Sequence, residues 1–121
     1  MTSGETVALA MLLMLLVTGT ASRYDPGIFQ SVSRVRGMPD WGGAHVAVLD
    51  CDWVGRHLWL CYDGDCMPAR VTDCAGIADG GAAWMVRNRI AAELDFDTSK
   101  ELGCLGRTIS LHSPIMSHEW R

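Results

Sequence analysis

The chain has 121 residues and a formal net charge of −4, a length that holds one domain and not two. Ten Lys and Arg against fourteen Asp and Glu exclude general nucleic-acid binding, which needs clustered cations facing phosphate. Five cysteines, in a chain whose N-terminus reads as an export leader, suggest disulfide crosslinks with one thiol left over.

The first distinctive element is the apolar run Val7 to Val17, followed by the small residues Thr18-Gly19-Thr20-Ala21-Ser22. The run is shorter than the roughly 20 apolar residues of a comfortable membrane span. It fits the hydrophobic segment of a secretory signal, cleaved after Ala21 or Ser22, or an uncleaved N-terminal anchor. The six residues before it carry no Lys or Arg, and no Cys near the cleavage region offers a lipid attachment point. Residues 1–22 are therefore read as a leader helix, which would place the domain outside the cytoplasm; membrane contact is expected only through this leader if it is retained.

Residues 23–44 carry Pro and Gly at both ends (Tyr24-Asp25-Pro26-Gly27 and Gly37 to Gly43) and are read as an extended arm with turns. Ile28, Val32 and Val35 would form one amphipathic turn of helix within it. Strands dominate from residue 45: His45 to Leu49, then Arg56 to Cys61, then Ala69 to Asp73, its start limited by Pro68. Asp63-Gly64 is a favoured two-residue hairpin centre. With that turn, Cys61 opposes Cys66 at a non-hydrogen-bonded position, where Cα atoms lie about 4.5 Å apart, near the lower limit for a disulfide. Cys51 and Cys74 each follow an Asp at the end of an apolar run and are paired with each other. Cys104 is left as the odd thiol, either buried or linking two chains into a dimer. Zinc is disfavoured because no C-x-x-C spacing occurs and the four His are scattered; no metal or other cofactor is expected.

Ala82 to Leu94 is made of good helix formers, yet Ile90, Ala92 and Leu94 alternate as in a strand, and periodicity does not decide between them. Thr98-Ser99-Lys100-Glu101 has the spacing of a capping box, with Thr98 as N-cap and Gly103 as helix stop. Thr108 to His112 alternates as a half-buried strand does. Residues 114–121 read as a solvated tail. Strands about ten residues apart with Gly-rich turns indicate a small all-β barrel or sandwich.

Two carboxylates stand at strand ends: Asp73, delivered into a Gly-containing loop, and Asp95, in Glu93-Leu94-Asp95-Phe96-Asp97. Paired acids at one mouth are what acid/base work on a glycosidic bond requires. The alternative for Asp73 is a loop-capping acid, and for Asp95 an acid favoured by a helix N-terminus. Trp53 and Trp84 are either sugar-stacking platforms or core residues. Arg87 and Asn88 are either contacts to sugar hydroxyls or an exposed polar pair.

Taken in order, these segments resemble the rare lipoprotein A group of double-psi β-barrel proteins, related to barwin, expansin and family-45 endoglucanase barrels. The resemblance runs from about Tyr24 to Leu111. Tyr24-Asp25-Pro26-Gly27 is similar to the group's opening Tyr and Pro-Gly, and Val46 to Cys51 followed by Val54-Gly55-Arg56 to its strand and "G-T-x-V" turn. Arg70-Val71-Thr72-Asp73 is similar to its "V-x-V-x-D" segment. Ala92 to Phe96 leading to Leu102-Gly103 is similar to its "I-D-L-S" strand and short helix. The resemblance implies a mainly β, six-stranded double-psi barrel over residues 45–113 with one or two short helices, a strand at Ile90 to Leu94 and a loop or helical turn at Ala82 to Asn88. It implies contact with polysaccharide or peptidoglycan glycan strands, with Asp73 and Asp95 on the acid positions. The group's His before the turn has no counterpart in Leu49 to Trp53, and its "D-R-G-P-F" loop is replaced by Asp73-Cys74-Ala75-Gly76-Ile77. The leading expectation is thus an exported polysaccharide-binding module. Lytic glycan-strand cleavage with Asp73 as acid/base, and a non-catalytic structural role in an extracellular assembly, are the alternatives.

Overall fold

The computed structural model describes residues 13–76 and 79–114. Their order is β1 (Leu13–Arg23), α1 (Ile28–Arg36), β2 (Ala44–Val48), a 3₁₀ turn (Cys51–Trp53), β3 (His57–Tyr62), β4 (Asp65–Cys74), α2 (Gly81–Arg87), β5 (Ile90–Leu94), α3 (Phe96–Leu102) and β6 (Thr108–Pro114). The six strands close into a barrel in the order β1-β5-β2-β4-β3-β6. Closure removes the open edges that a small sheet otherwise exposes. β1 with β5 and β2 with β4 run parallel, and the other four pairings are antiparallel.

β1 revises the expected leader. Residues 1–12 lie outside the described residues, but from Leu13 the chain is a barrel strand, where a helical leader ending at residue 22 was expected. Its cause is visible in its pairing. Leu13 to Thr20 run antiparallel to β6, and Thr20 to Arg23 run parallel to β5. Ala21 is buried in the core, and Leu16 and Val17 pack against it. A Cβ at Gly19 would stand 2.5 Å from the Arg89 carbonyl oxygen, so only glycine permits this approach of the two strands. The barrel therefore starts at Leu13 rather than at residue 45. Among the described residues no helix is long and apolar enough to cross a membrane.

The β3–β4 hairpin forms as its sequence dictates. Asp63 (φ 52°) and Gly64 (φ 87°) take the left-handed conformations that a two-residue turn needs. Tyr62 pairs with Asp65 and Cys61 with Cys66. The Cys61–Cys66 and Cys51–Cys74 disulfides are both present, which fits an oxidising compartment. β4 begins at Asp65, four residues before the expected start. Pro68 is accommodated because it faces Trp59 in a non-hydrogen-bonded pair, and β2 pairs with β4 only from Ala69 on. Its missing N–H therefore costs no ladder bond.

Inward-facing side chains, among them Val46, Val48, Leu60, Val71, Leu94, Ile109 and Leu111, fill the barrel. Cys104, unpaired, is fully buried in the same cluster, and burial raises its thiol pKa. Of the two expectations for this thiol, the fold shows burial.

The arm folds over the outer face of β5, β2 and β4. It is not simply extended: α1 has nine residues and ends at Gly37 (φ 69°). Its buried face is Phe29 and Ser33 rather than Ile28, Val32 and Val35; Val35 is 88% exposed. Phe29 is the apolar anchor, stacked between Tyr24 (centroids 4.5 Å apart) and His45 (5.4 Å). Behind it, the buried Arg70 guanidinium donates to Ser33 Oγ, the Pro39 carbonyl and Thr72 Oγ1. His45 contacts Thr72 Oγ1 and the Trp41 carbonyl. These bonds tie the arm to β2 and β4.

The ambiguous segment splits into α2 and β5, as the resemblance implied. α3 begins at Phe96, and its N-cap is Asp95, whose carboxylate accepts from Thr98 N–H at 3.0 Å. The expected cap at Thr98 is thereby moved three residues toward the N-terminus. Gly103 (φ 65°) ends this helix as expected. The expected tail beyond Pro114 lies outside the described residues.

Candidate functional site

The barrel register brings two acids to one level of the outer face. Ala47, on the central strand β2, pairs with Glu93 on β5 and with Asp73 on β4. Val46 and Leu94 are paired and point inward, so Ala47 and Glu93 point outward. On β4 the pairing slips between Val46–Val71 and Ala47–Asp73, leaving Thr72 as an extra residue. This irregularity turns Asp73 to the outer side. Two strand spacings of about 4.8 Å put the Asp73 and Glu93 backbones about 10 Å apart across one small side chain.

Tyr24, at the end of β1, reaches into this gap. Its N–H donates to the Leu94 carbonyl at 2.8 Å and its phenol donates to Asp73 Oδ2 at 2.8 Å. Arg36, the last residue of α1, donates from Nη2 to Asp73 Oδ1 at 2.7 Å. Both Asp73 oxygens are thus engaged by side chains of the arm, and among the described residues no backbone amide caps them as the loop-capping alternative would require. The Cys51–Cys74 disulfide anchors the residue after Asp73 to the 3₁₀ turn.

Glu93 differs. Its pKa is raised, first by burial and then by the Asp73 charge, while the Tyr24 hydroxyl works in the opposite direction. Tyr24 is held protonated far above the ordinary phenol value by burial, by its bond to Asp73 and by the charges of Asp73 and Glu93. The site therefore joins a carboxylate in an ion pair, a neutral phenol and a carboxyl biased toward its protonated form.

These groups line a cleft of about 180 Å³ whose opposite wall is the loop at Ala75-Gly76, Asp79 and the exposed indole of Trp84. Asp79 fixes that wall by accepting from the Gly81 N–H at 2.9 Å.

Of the expected site residues, Asp73 and Trp84 meet here. Asp95 does not. One oxygen caps α3 and the other accepts the His45 N–H at 2.8 Å, so it serves the helix entry, and it lines different concavities. Trp53 packs against the barrel core, with the Arg56 guanidinium 5.6 Å from its ring. Arg87 and Asn88 are exposed at the end of α2, and Asn88 Nδ2 donates to the Trp84 carbonyl, closing its own helix. Glu93 and Arg36 were not singled out from the sequence. The available signal for Glu93 was its parity: in a strand ending at Leu94, Glu93 faces out between two inward residues, whereas Asp95 already lies beyond the ladder.

Among the described residues no group of three His, Cys, Asp or Glu side chains is placed to hold a metal ion. In comparisons with known proteins, no family, curated protein or solved structure matches the chain. The closed, mixed six-stranded barrel is compatible with the double-psi fold.

Proposed function

We propose that this chain is an exported double-psi β-barrel of the rare lipoprotein A type whose outer cleft binds polysaccharide, with peptidoglycan glycan strands as the first ligand to test. The observation that carries the reading is the convergence of Asp73, Tyr24, Glu93 and the exposed Trp84 on one cleft. An indole offers a flat apolar surface to the C–H face of a sugar, and carboxylate and phenol oxygens accept and donate to its hydroxyls. The ion pair with Arg36 fixes Asp73 before any ligand arrives, so little ordering is needed on binding.

A second reading, strand cleavage, is favoured by the raised pKa of Glu93. It assigns the acid role to Glu93 in place of Asp73, whose oxygens are both occupied. In lytic transglycosylation one carboxylic acid protonates the departing glycosidic oxygen. The sugar's own C6 hydroxyl then closes on C1, and its proton returns to the carboxylate. The products are a shortened strand and a 1,6-anhydro end, and the acid is regenerated.

The test is incubation of the protein, wild type and with Trp84→Ala, Asp73→Asn or Glu93→Gln, with purified peptidoglycan. Co-sedimentation that Trp84→Ala and Asp73→Asn weaken supports the binder. Soluble anhydro-ended fragments lost in Glu93→Gln support cleavage. Absence of both retention and fragments refutes the glycan reading and leaves the structural role.

A further inference from the structure

A second groove lies on the same outer side of the barrel, beyond the Tyr24–Phe29 stack from the acid cleft. One part, about 270 Å³, sits between the turn at Trp41 and α3; an adjoining part, about 430 Å³, runs along α1. Gln30, Trp41, Gly42 and His45 belong to both walls.

Trp41 is immobilised there by three contacts. Its indole N–H donates to the Ala44 carbonyl at 2.8 Å. Its ring meets His57 edge-on, with centroids 4.7 Å apart at 79°. It also lies against Gly43, where an added Cβ would come within 2.8 Å of the ring, so glycine is required for this pose. Despite these contacts the indole is not fully buried and stays open to the groove. A rigid aromatic plane beside hydrogen-bonding groups such as Gln30 is suited to stacking one pyranose ring at small entropic cost.

The charges around it decide which ring. Asp40, Asp95, Asp97 and Glu101 contribute four carboxylates, against one guanidinium from Arg34. His45 is biased toward neutrality by burial. Arg70, behind it, is buried and already engaged by Ser33, Pro39 and Thr72. A carboxylate, phosphate or sulfate on the sugar would meet net repulsion in this groove, whereas an amine would be attracted by the same carboxylates and by the indole face.

Resting on the glycan reading of the acid cleft, we infer that the groove around Trp41 is a second sugar-binding site, selective for a neutral or amine-bearing sugar unit. In a strand whose sugars alternate, it takes the unit without an acidic substituent.

The experiment is an ¹H–¹⁵N titration of the full chain with three probes: an N-acetylglucosamine tetramer, its de-N-acetylated counterpart and a tetragalacturonate. The Trp41 indole signal is assigned by its loss in Trp41→Phe, and thermal melts confirm that this variant folds. The first two probes are expected to shift the Trp41 signal, the amine tetramer at least threefold more tightly, with that preference reduced by Asp97→Asn and Glu101→Gln together. Trp41→Phe is expected to weaken this binding about fivefold or more, and tetragalacturonate to leave the signal in place. A static Trp41 signal while the Trp84 indole moves overturns the second site and leaves the acid-cleft reading standing. Shifts at Trp41 with tetragalacturonate overturn the charge selectivity. No movement of either indole with any probe overturns the inference together with the reading on which it rests.

Discussion

Phe29→Ala is the sharpest probe of how the site is assembled, because the arm that carries Tyr24 and Arg36 is anchored by this one apolar side chain. Phe29 is 1% exposed and stacks on Tyr24 and His45. Truncating a buried Phe to Ala costs about 3–5 kcal/mol in lost transfer energy and residual cavity. Each aromatic pair adds about 0.5–1.5 kcal/mol beyond its buried area. For a domain of about 100 residues, 1 kcal/mol moves Tm by roughly 4–5 °C, so a loss of about 3–5 kcal/mol lowers Tm by about 12–25 °C. Ile28→Ala, one residue earlier and 43% exposed, should stay within about 0.5 kcal/mol. Both values are read from urea denaturation and thermal melts followed by circular dichroism. A loss below about 1 kcal/mol for Phe29→Ala, with an unchanged denaturant slope, would show that the arm does not pack on β2, β4 and β5 as described, and the grouping of Tyr24, Asp73 and Glu93 would lose its support.

Three further outcomes are expected. Glu93 keeps its proton longer in the folded state than in the unfolded chain, so its contribution is present below the unfolded value of about 4.3 and is lost as pH rises through its raised folded value; Glu93→Gln should flatten that part of the stability profile, and in ¹³C carboxyl titrations Asp73→Asn should bring Glu93 back toward the ordinary range. His45 has the opposite sense. Burial and the neighbouring Arg70 depress its pKa, against the Trp41 carbonyl and Asp95, so stability present above the unfolded value of about 6.5 should fall as pH drops through it toward the lowered folded value in melts of the wild type, and less so in His45→Gln. A chain begun at Arg23 lacks the strand that pairs with both β5 and β6, and should show no cooperative melt where the full chain does.

The hairpin at Asp63-Gly64 and both disulfides were legible because each rests on local chemistry: a turn dipeptide and cysteines at strand ends. The division of residues 81–94 into helix and strand was not legible locally, since its periodicity fits both, and came only from the family resemblance. β1 was not legible either, since Leu13 to Val17 carries the same apolar signal whether it enters a membrane or a barrel wall, and only its partners in β5 and β6 decide. Asp73 was legible as an acid at a strand end. Its companion was misplaced by two residues, because Glu93 and Asp95 share a parity and the deciding fact is that pairing stops at Leu94 and Asp95 turns to cap α3. The face of α1 escaped for a related reason. Ile28, Val32 and Val35 look like an apolar stripe, but the surface beneath the helix holds Arg70 and His45, which take Ser33 and Phe29 instead. Trp53 and Trp84 were indistinguishable as residues; the barrel core claims the first and leaves the second at the cleft.

The most direct measurement of the central claim is backbone and side-chain NMR mapping of the full chain with a soluble peptidoglycan glycan oligomer. Binding in the proposed cleft shifts Tyr24, Asp73, Glu93 and the Trp84 indole together, and leaves Trp53 and the exposed end of α2 at Arg87 and Asn88 unmoved. Shifts centred on Trp53, or none at Asp73 and Glu93 at saturating oligomer, would contradict it.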